Sequence, residues 1–550
     1  MSYHRRSSVT LPQSATLDER ILGLHPPGAM YKSGFEYYNT VVEQRMRRMS
    51  SAIRARSGWI EALGDADTRA GWAKEAKEQS LTDLELCYVL DELAYFASLS
   101  QPGNDIRLSA VDGVWISDLL VDLETTEKLK DYTVILKRMP SCHKDYWNSN
   151  PKNRVLNLID PSLYPLVYSR SKLLRPPSTS PQAALAFKAS GESPGTLEKW
   201  REALSGADDT NGSKYYLPTP TDRFDSIVSN YYSWLPSEFS VNCNGAVEIT
   251  SYINNLHPVK HALLYPHFFS KFLPMLEQVV TDLVRPRGDR LARRLGSYYK
   301  SDKPEPDMDD YEYHDEYDED IDEWKKNAKI MHPHPKSFVA PERPITPYTL
   351  YSRQLQAVVR MSNIELTPNC PRYRGDSWEV TARANERIIA TGVFFYDVSN
   401  ISRCSLQLRE PVCGYMFGVE QYDIRAVVEM YGINDHRNEE LRLSQNYGNI
   451  DINDGLCVVY PSIYQHQMSE FKLANSSKPG HCRMLTFYFV DPATRVPSTA
   501  IVPPQQQEWW FEDVLASEPF CNLPHLILDG IANRVDFPIS LDEAKRIRKR

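Results

Sequence analysis

The sequence predicts an α+β chain: a mostly helical N-terminal region followed by a jelly-roll domain with helical decorations. Three observations predict it. Apolar residues recur at spacings of three and four through the first part of the chain. After Pro347, short β-rich runs alternate with Asn, Asp, Gly and Pro. No helix-length pattern separates those runs, which argues against a doubly wound parallel sheet.

The elements follow in order. Residues 35–59 are nearly free of Gly and Pro after Gly34, with Tyr37, Val41, Val42, Met46 and Met49 near helical spacing. In residues 81–99, Leu86, Val89, Leu90, Leu93 and Phe96 share a face, and Thr82 with Glu85 forms a capping box. Residues 115–139 read as a further helix. Residues 175–208 are polar and rich in Pro and Ser, the composition of a surface loop. They place the first boundary: a helical region over 1–174, a linker over 175–224, a jelly roll over 225–530, and a C-terminal helix with a basic tail over 531–550. Residues 261–284 form an amphipathic helix interrupted by Pro266 and Pro274. Strand runs are expected at 355–366, 387–396, 405–409, 456–460 and 483–490.

Charge is unevenly placed. Thirteen of the 72 acidic residues fall between Asp302 and Glu323 with a single lysine, so the net −9 hides a remainder of about +3. That run, interleaved with Tyr311, Tyr313 and Tyr317, reads as a disordered solvated insertion. The only dense basic run is KRIRKR over 545–550. It suits the last turn of a helix opened by Ser540 and Asp542, or a nuclear-import signal. Nucleic acid is not expected as a partner. No stretch approaches the ~18 uncharged apolar residues of a membrane span, and no membrane partner is expected. Nine cysteines without a CxxC pair argue against a disulfide framework and a zinc ribbon. A cytoplasmic location is expected, with a nuclear one left open by the basic tail. Oligomeric state is not set by the sequence.

There is no Walker loop, GxGxxG, GxSxG or HExxH. One constellation can carry chemistry. His466 lies in YPSIYQHQM, and Arg483 opens the strand RMLTFYFVDP seventeen residues later. On neighbouring jelly-roll strands the two can face one mouth, a neutral nitrogen ligand beside a guanidinium fork for a carboxylate. A lone His and a lone Arg on strands are also ordinary structural residues.

Several long strings resemble the fungal DUF4246 family: PRYRGDSWEVTARANERIIATGVFFYDVSNIS, YPSIYQH, FKLANSSKPGHCRMLTFYFVDP and STAIVPPQQQEWW, with RVLNLIDPSLYPLVYSRSKLL and EITSYINNLHP upstream. The C-terminal half of that family resembles the Fe(II)/2-oxoglutarate oxygenases, built on a double-stranded β-helix. The resemblance implies Fe(II) and 2-oxoglutarate as cofactors and a small-molecule substrate, in fungal specialised (secondary) metabolism. It implies His466 as the distal metal histidine and Arg483 as the co-substrate arginine. The chain departs from the family at one place. Where the family has His-Val-Glu-Gly after the tryptophan matching Trp378, this chain has Glu379-Val380-Thr381-Ala382.

That replacement removes a histidine and a carboxylate from a three-ligand set. Glu379 and His466 remain as the possible protein ligands, and iron affinity is expected to fall strongly. The same two residues are suited to acid–base catalysis. Three readings therefore stand: a divergent 2-oxoglutarate dioxygenase-like protein, a metal-independent isomerase, cyclase, dehydratase or pseudoenzyme on the same barrel, and an interaction protein using the acidic run. Asn385 and Glu386 match a family pair and read as structural. Gln445 and His481 are secondary candidates for the site.

Overall fold

A computed structural model describes most residues between 39 and 549. Residues 139–143, 147–154, 174–198, 200–227, 258–264, 284–289, 292–297, 341–347, 412–423, 433–443, 516–517, 535–537 and a few single positions lie outside the described set. The linker expected over 175–224 falls almost wholly among them.

The fold is α+β with a jelly-roll centre. Helices come first: α1 (Val41–Arg54), α2 (Ala66–Glu78) and α3 (Asp83–Ser98). Capping boxes open α1 at Thr40 and Glu43 and α3 at Thr82 and Glu85, each satisfying two backbone donors that the first turn leaves unpaired. Met46, Met49, Ile53, Trp72, Val89 and Leu93 close a core of their own between these helices. The stretch 115–139 is not one helix. Its first residues form strand β1 (Trp115–Ser117), and helix α4 (Leu123–Leu136) starts only after the N-cap Asp122. Trp115 and Ile116 are large and β-favouring, and they find a strand partner that overrides the helical spacing.

Among the described residues the central sheet has ten strands. It is built on β2 (Val155–Ile159), β3 (Ser237–Val241), β4 (Arg353–Leu366), β6 (Ile388–Ser399), β9 (Cys457–Pro461) and β12 (Gly480–Val490). Its order is β1-β9-β6-β12-β4-β2, antiparallel throughout, with β3 also pairing β4. A second layer comprises β7 (Ser405–Pro411), β8 (Ser444–Asp451) and β10 (Gln465–Met468), in the order β8-β7-β10. A short pair, β5 (Arg372–Tyr373) with β11 (Phe471–Lys472), completes it. The boundary at 174 does not separate two units. β1 and β2 lie before it, yet both are strands of the central sheet, where their largely apolar side chains are buried.

Both faces of the central sheet are buried, and that decides where side chains go. One face carries Phe394, Leu485, Phe487 and Phe489 and packs on helix α5 (Tyr265–Leu283). Phe269 lies edge-on to Phe487 with ring centroids 5.6 Å apart and stacks on Phe239 at 4.1 Å. Pro274 sits inside α5 without ending it; packing of the Phe and Val face holds the helix through the lost hydrogen bond. The other face carries Val393, Phe395, Val458 and Cys482 and meets Leu406, Leu408 and Ile450 of the second layer. Cys404, Cys457 and Cys482 are buried as small apolar fillers.

The acidic run is not a disordered insertion. Helix α6 (His314–Asn327) covers its second half, with Asp315 and Glu316 in the first turn and Lys325 and Lys326 in the last, as the helix dipole favours. Ile321 is buried and Trp324 packs on Tyr299, which anchor it. At the other end of the chain, Ser540 caps helix α7 (Leu541–Arg548). Arg548, within the basic run, is 5% exposed and pairs with Asp145 at 2.6 Å and Asp160 at 2.9 Å. Among the described residues no helix is long and apolar enough to cross a membrane.

Candidate functional site

A cavity of about 550 Å³ opens between the two layers. Strand alternation fixes its lining. From β4 come Arg360, Ser362 and Ile364; from β12, Met484, Thr486 and Tyr488; from β6, Val393 and Phe395. The second layer supplies Leu406, His466 and Met468.

Glu379 and His466 are brought together there. Gly375, at φ +77°, lets the chain run on from β5 antiparallel to β11 and then β10. A Cβ at Gly375 would lie 3.2 Å from the Met468 carbonyl oxygen. The Asp376 N–H donates to that same carbonyl at 3.1 Å. Glu379 and His466 then exchange both backbone hydrogen bonds, each 3.0 Å. Residues in such a pair stand directly opposite with side chains on one face. Trp378 is held under Arg409, whose guanidinium lies 4.3 Å from its ring, while Arg409 donates to Gln465 at 2.6 Å.

The electrostatics are mixed. Burial pushes the His466 imidazole below its ordinary value, Glu379 and Asp376 pull it back, and Arg360 adds to the depression. The ring is therefore neutral at pH 7, and its Nδ1 is buried without a hydrogen-bond partner. The ring lies 5.6 Å from that of Tyr460. Tyr373 donates to Asp376, and burial raises its phenol well above the usual range. Thr381 is buried in the cavity wall with an unpartnered hydroxyl.

Arg483 is not part of this site. It lies on the α5 face of β12, in the parity of Leu485, Phe487 and Phe489, and pairs with Asp397 at 2.6 Å. A register shift between Phe395 and Asp397 in β6 brings that carboxylate opposite it. His481 shares the face and contacts Asp397 at 2.9 Å. Gln445 accepts from the Asn39 side chain at 2.8 Å, tying α1 to the second layer away from the cavity. Asn385 bonds Tyr168 at 2.9 Å, and Glu386 accepts from the backbone of Trp234 and Arg383, so both act as braces.

Two arginines do line the cavity, Arg383, which is exposed, and Arg360, which is half-buried in the wall; sequence reasoning missed Arg360. Its signal was a lone charge inside the apolar strand run LQAVVRMSNIEL. The parity of that run could not be read, because both faces of β4 are buried. Iron does not fit the donor set. His466, Glu379 and Asp376 line the wall, Asp376 with its carboxylate held by the Tyr373 hydroxyl, and Thr381 offers only a neutral hydroxyl. Among the described residues no three His, Cys, Asp or Glu side chains are grouped to hold a metal ion.

Comparison with known proteins gives one family. A model described as "Protein of unknown function (DUF4246)" matches residues 85–513. No curated protein matches. Among solved structures, a selenomethionine-labelled Fe(II)/α-ketoglutarate-dependent dioxygenase, TqaL, is similar at 9% identity over 54% of this chain and 74% of its own, with a TM-score of 0.20.

Proposed function

The chain belongs to the DUF4246 family, and we propose that its barrel cavity binds a small molecule and moves a proton on it through His466 and Glu379, without a three-ligand iron centre. The observation that carries this is the backbone pair between Glu379 and His466, which sets both side chains on the cavity wall. His466, held neutral by burial, is the proton acceptor at neutral pH. The proton that His466 takes from one atom of the substrate is returned to another from the imidazolium, directly or relayed through the Glu379 carboxylate opposite it. An isomerisation, cyclisation or dehydration needs no more than that pair. The small-molecule substrate and a place in specialised metabolism belong to this reading. Oxygen activation does not, because the His-x-Glu half of the metal set is Glu379-x-Thr381.

Two measurements test it. Anaerobically purified protein should contain substoichiometric iron and show no visible charge-transfer band with added 2-oxoglutarate. In D2O, a panel of 2-oxo acids and β-dicarbonyl compounds should include members whose C–H signals exchange with the protein present. That exchange should vanish in His466→Ala and slow in Glu379→Gln. One iron per chain, with a 2-oxoglutarate band lost in His466→Ala, would overturn the reading.

A further inference from the structure

We propose that Arg360 is the anion-binding residue of the cavity and that the ligand it takes is an organic acid with an apolar body. The inference rests on the reading of the cavity as a small-molecule site and names what that site recognises.

Arg360 stands in the middle of β4, opposite Thr486 of β12 and diagonal to Tyr488, to which it hydrogen-bonds. Its side chain is half-buried and lines the cavity, while its Nε is buried with no partner. Burial works against its charge, and Tyr488, Asp160 and Glu379 outweigh that, so it stays a cation. Yet no carboxylate among the described residues lies within ion-pair distance of it. Glu379 acts on it only from beyond ion-pair distance, and the other acids of the lining are engaged elsewhere. Asp160 is held by Arg548 at 2.9 Å and by Ser162 at 2.6 Å. Asp376 accepts from Tyr373. Both Glu386 oxygens accept backbone N–H groups at 2.8 and 2.9 Å. A guanidinium left unpaired in a cavity wall is matched in shape and charge by a carboxylate, which takes two parallel N–H bonds.

The rest of the lining describes the ligand's other end. Val393, Phe395, Leu406 and Met484 give an apolar surface. Several acids border the cavity, so a phosphate dianion would meet more repulsion than a carboxylate. The pattern of apolar walls with a few placed polar groups is that of a small-molecule pocket.

The test is calorimetric titration of the full chain with 3-phenylpropanoate and its neutral isostere 3-phenylpropanamide. Wild type should prefer the acid by about tenfold or more, as a charge-assisted fork predicts. Arg360→Met should lose that preference, and Arg483→Gln, on the opposite face of β12, should keep it. Arg360→Lys, a milder change, should retain a reduced preference and serves if the Met variant does not fold. Equal binding of acid and amide, no binding of either, or a preference that survives in Arg360→Met but falls in Arg483→Gln would overturn the proposal. A preserved preference with no proton exchange in D2O would sink the catalytic reading and leave this one standing.

Discussion

His466 is pulled by opposing forces, and the balance has a sign. Its folded value lies below the ordinary 6.5, so the unfolded chain binds the proton more readily. The stability it contributes is complete above about pH 6.5 and is lost as pH falls through the folded value. Melting curves of wild type and His466→Asn should therefore converge between pH 7 and pH 5, with wild type losing more. Divergence in that window would show that the imidazole is charged in the folded chain. Arg483 makes a different expectation. Removing its pair with Asp397 in Arg483→Gln should cost about 1–2 kcal/mol in urea unfolding, a structural loss at a partly exposed site. The sequence made Glu379 and His466 readable because the first is a visible departure in a long matched string and the second sits in another. It could not rank Arg360 above Arg483. Parity along a strand says which residues share a face, but with both faces apolar it does not say which face holds the cavity.

At the scale of elements, close approach and clustered charge set the costs. Gly392 of β6 lies under α5, where a Cβ would come within 2.8 Å of Phe272. Gly392→Ala should destabilise by about 1–3 kcal/mol, since the aromatic layer has little room to yield. A gain in stability would mean that α5 is free to shift. The loop before β1 holds a second case. Asp112 accepts from Arg54 at 2.6 Å and Arg290 at 2.9 Å, and Arg290 also pairs with Glu92. Burial pushes the Asp112 carboxyl up, but Arg290, Arg54 and Arg47 more than offset it and hold it well below the usual range. Asp112→Ala leaves Arg54 without a carboxylate and Arg290 with Glu92 alone, and should cost about 3 kcal/mol by chemical denaturation. Long elements such as α3, α5, β4 and β12 were legible from spacing alone. β8 and β10 were not, because they are polar and short, and their strand character comes from the neighbours they pair with.

At the scale of the whole molecule, the parts that make the cavity are distant in sequence. β2, β4, β6, β10 and β12 all reach it, and the wall acid Asp160 is balanced by Arg548 from the last helix. Deleting residues 541–550 should lower the melting temperature and also weaken binding at Arg360, because Asp160 loses its partner and becomes free to neutralise the cavity. A deletion that lowers stability and leaves binding untouched would show that Asp160 stays where it is without α7. Domain boundaries drawn from composition failed for a related reason. A change of texture marks where the chain changes element type, and β1 and β2 cross that line to pair with strands far downstream.

Arg548 has a consequence for how the protein is made. The chain emerges from the ribosome N-terminus first, and Asp145 and Asp160 are synthesised nearly four hundred residues before their cation. Until α7 has been made, Asp145 and Asp160 lack the cation that the folded chain gives them. A ribosome-stalled chain that stops before residue 541 should therefore hold its barrel less firmly than one that includes α7, a difference that limited proteolysis of the stalled chain would read.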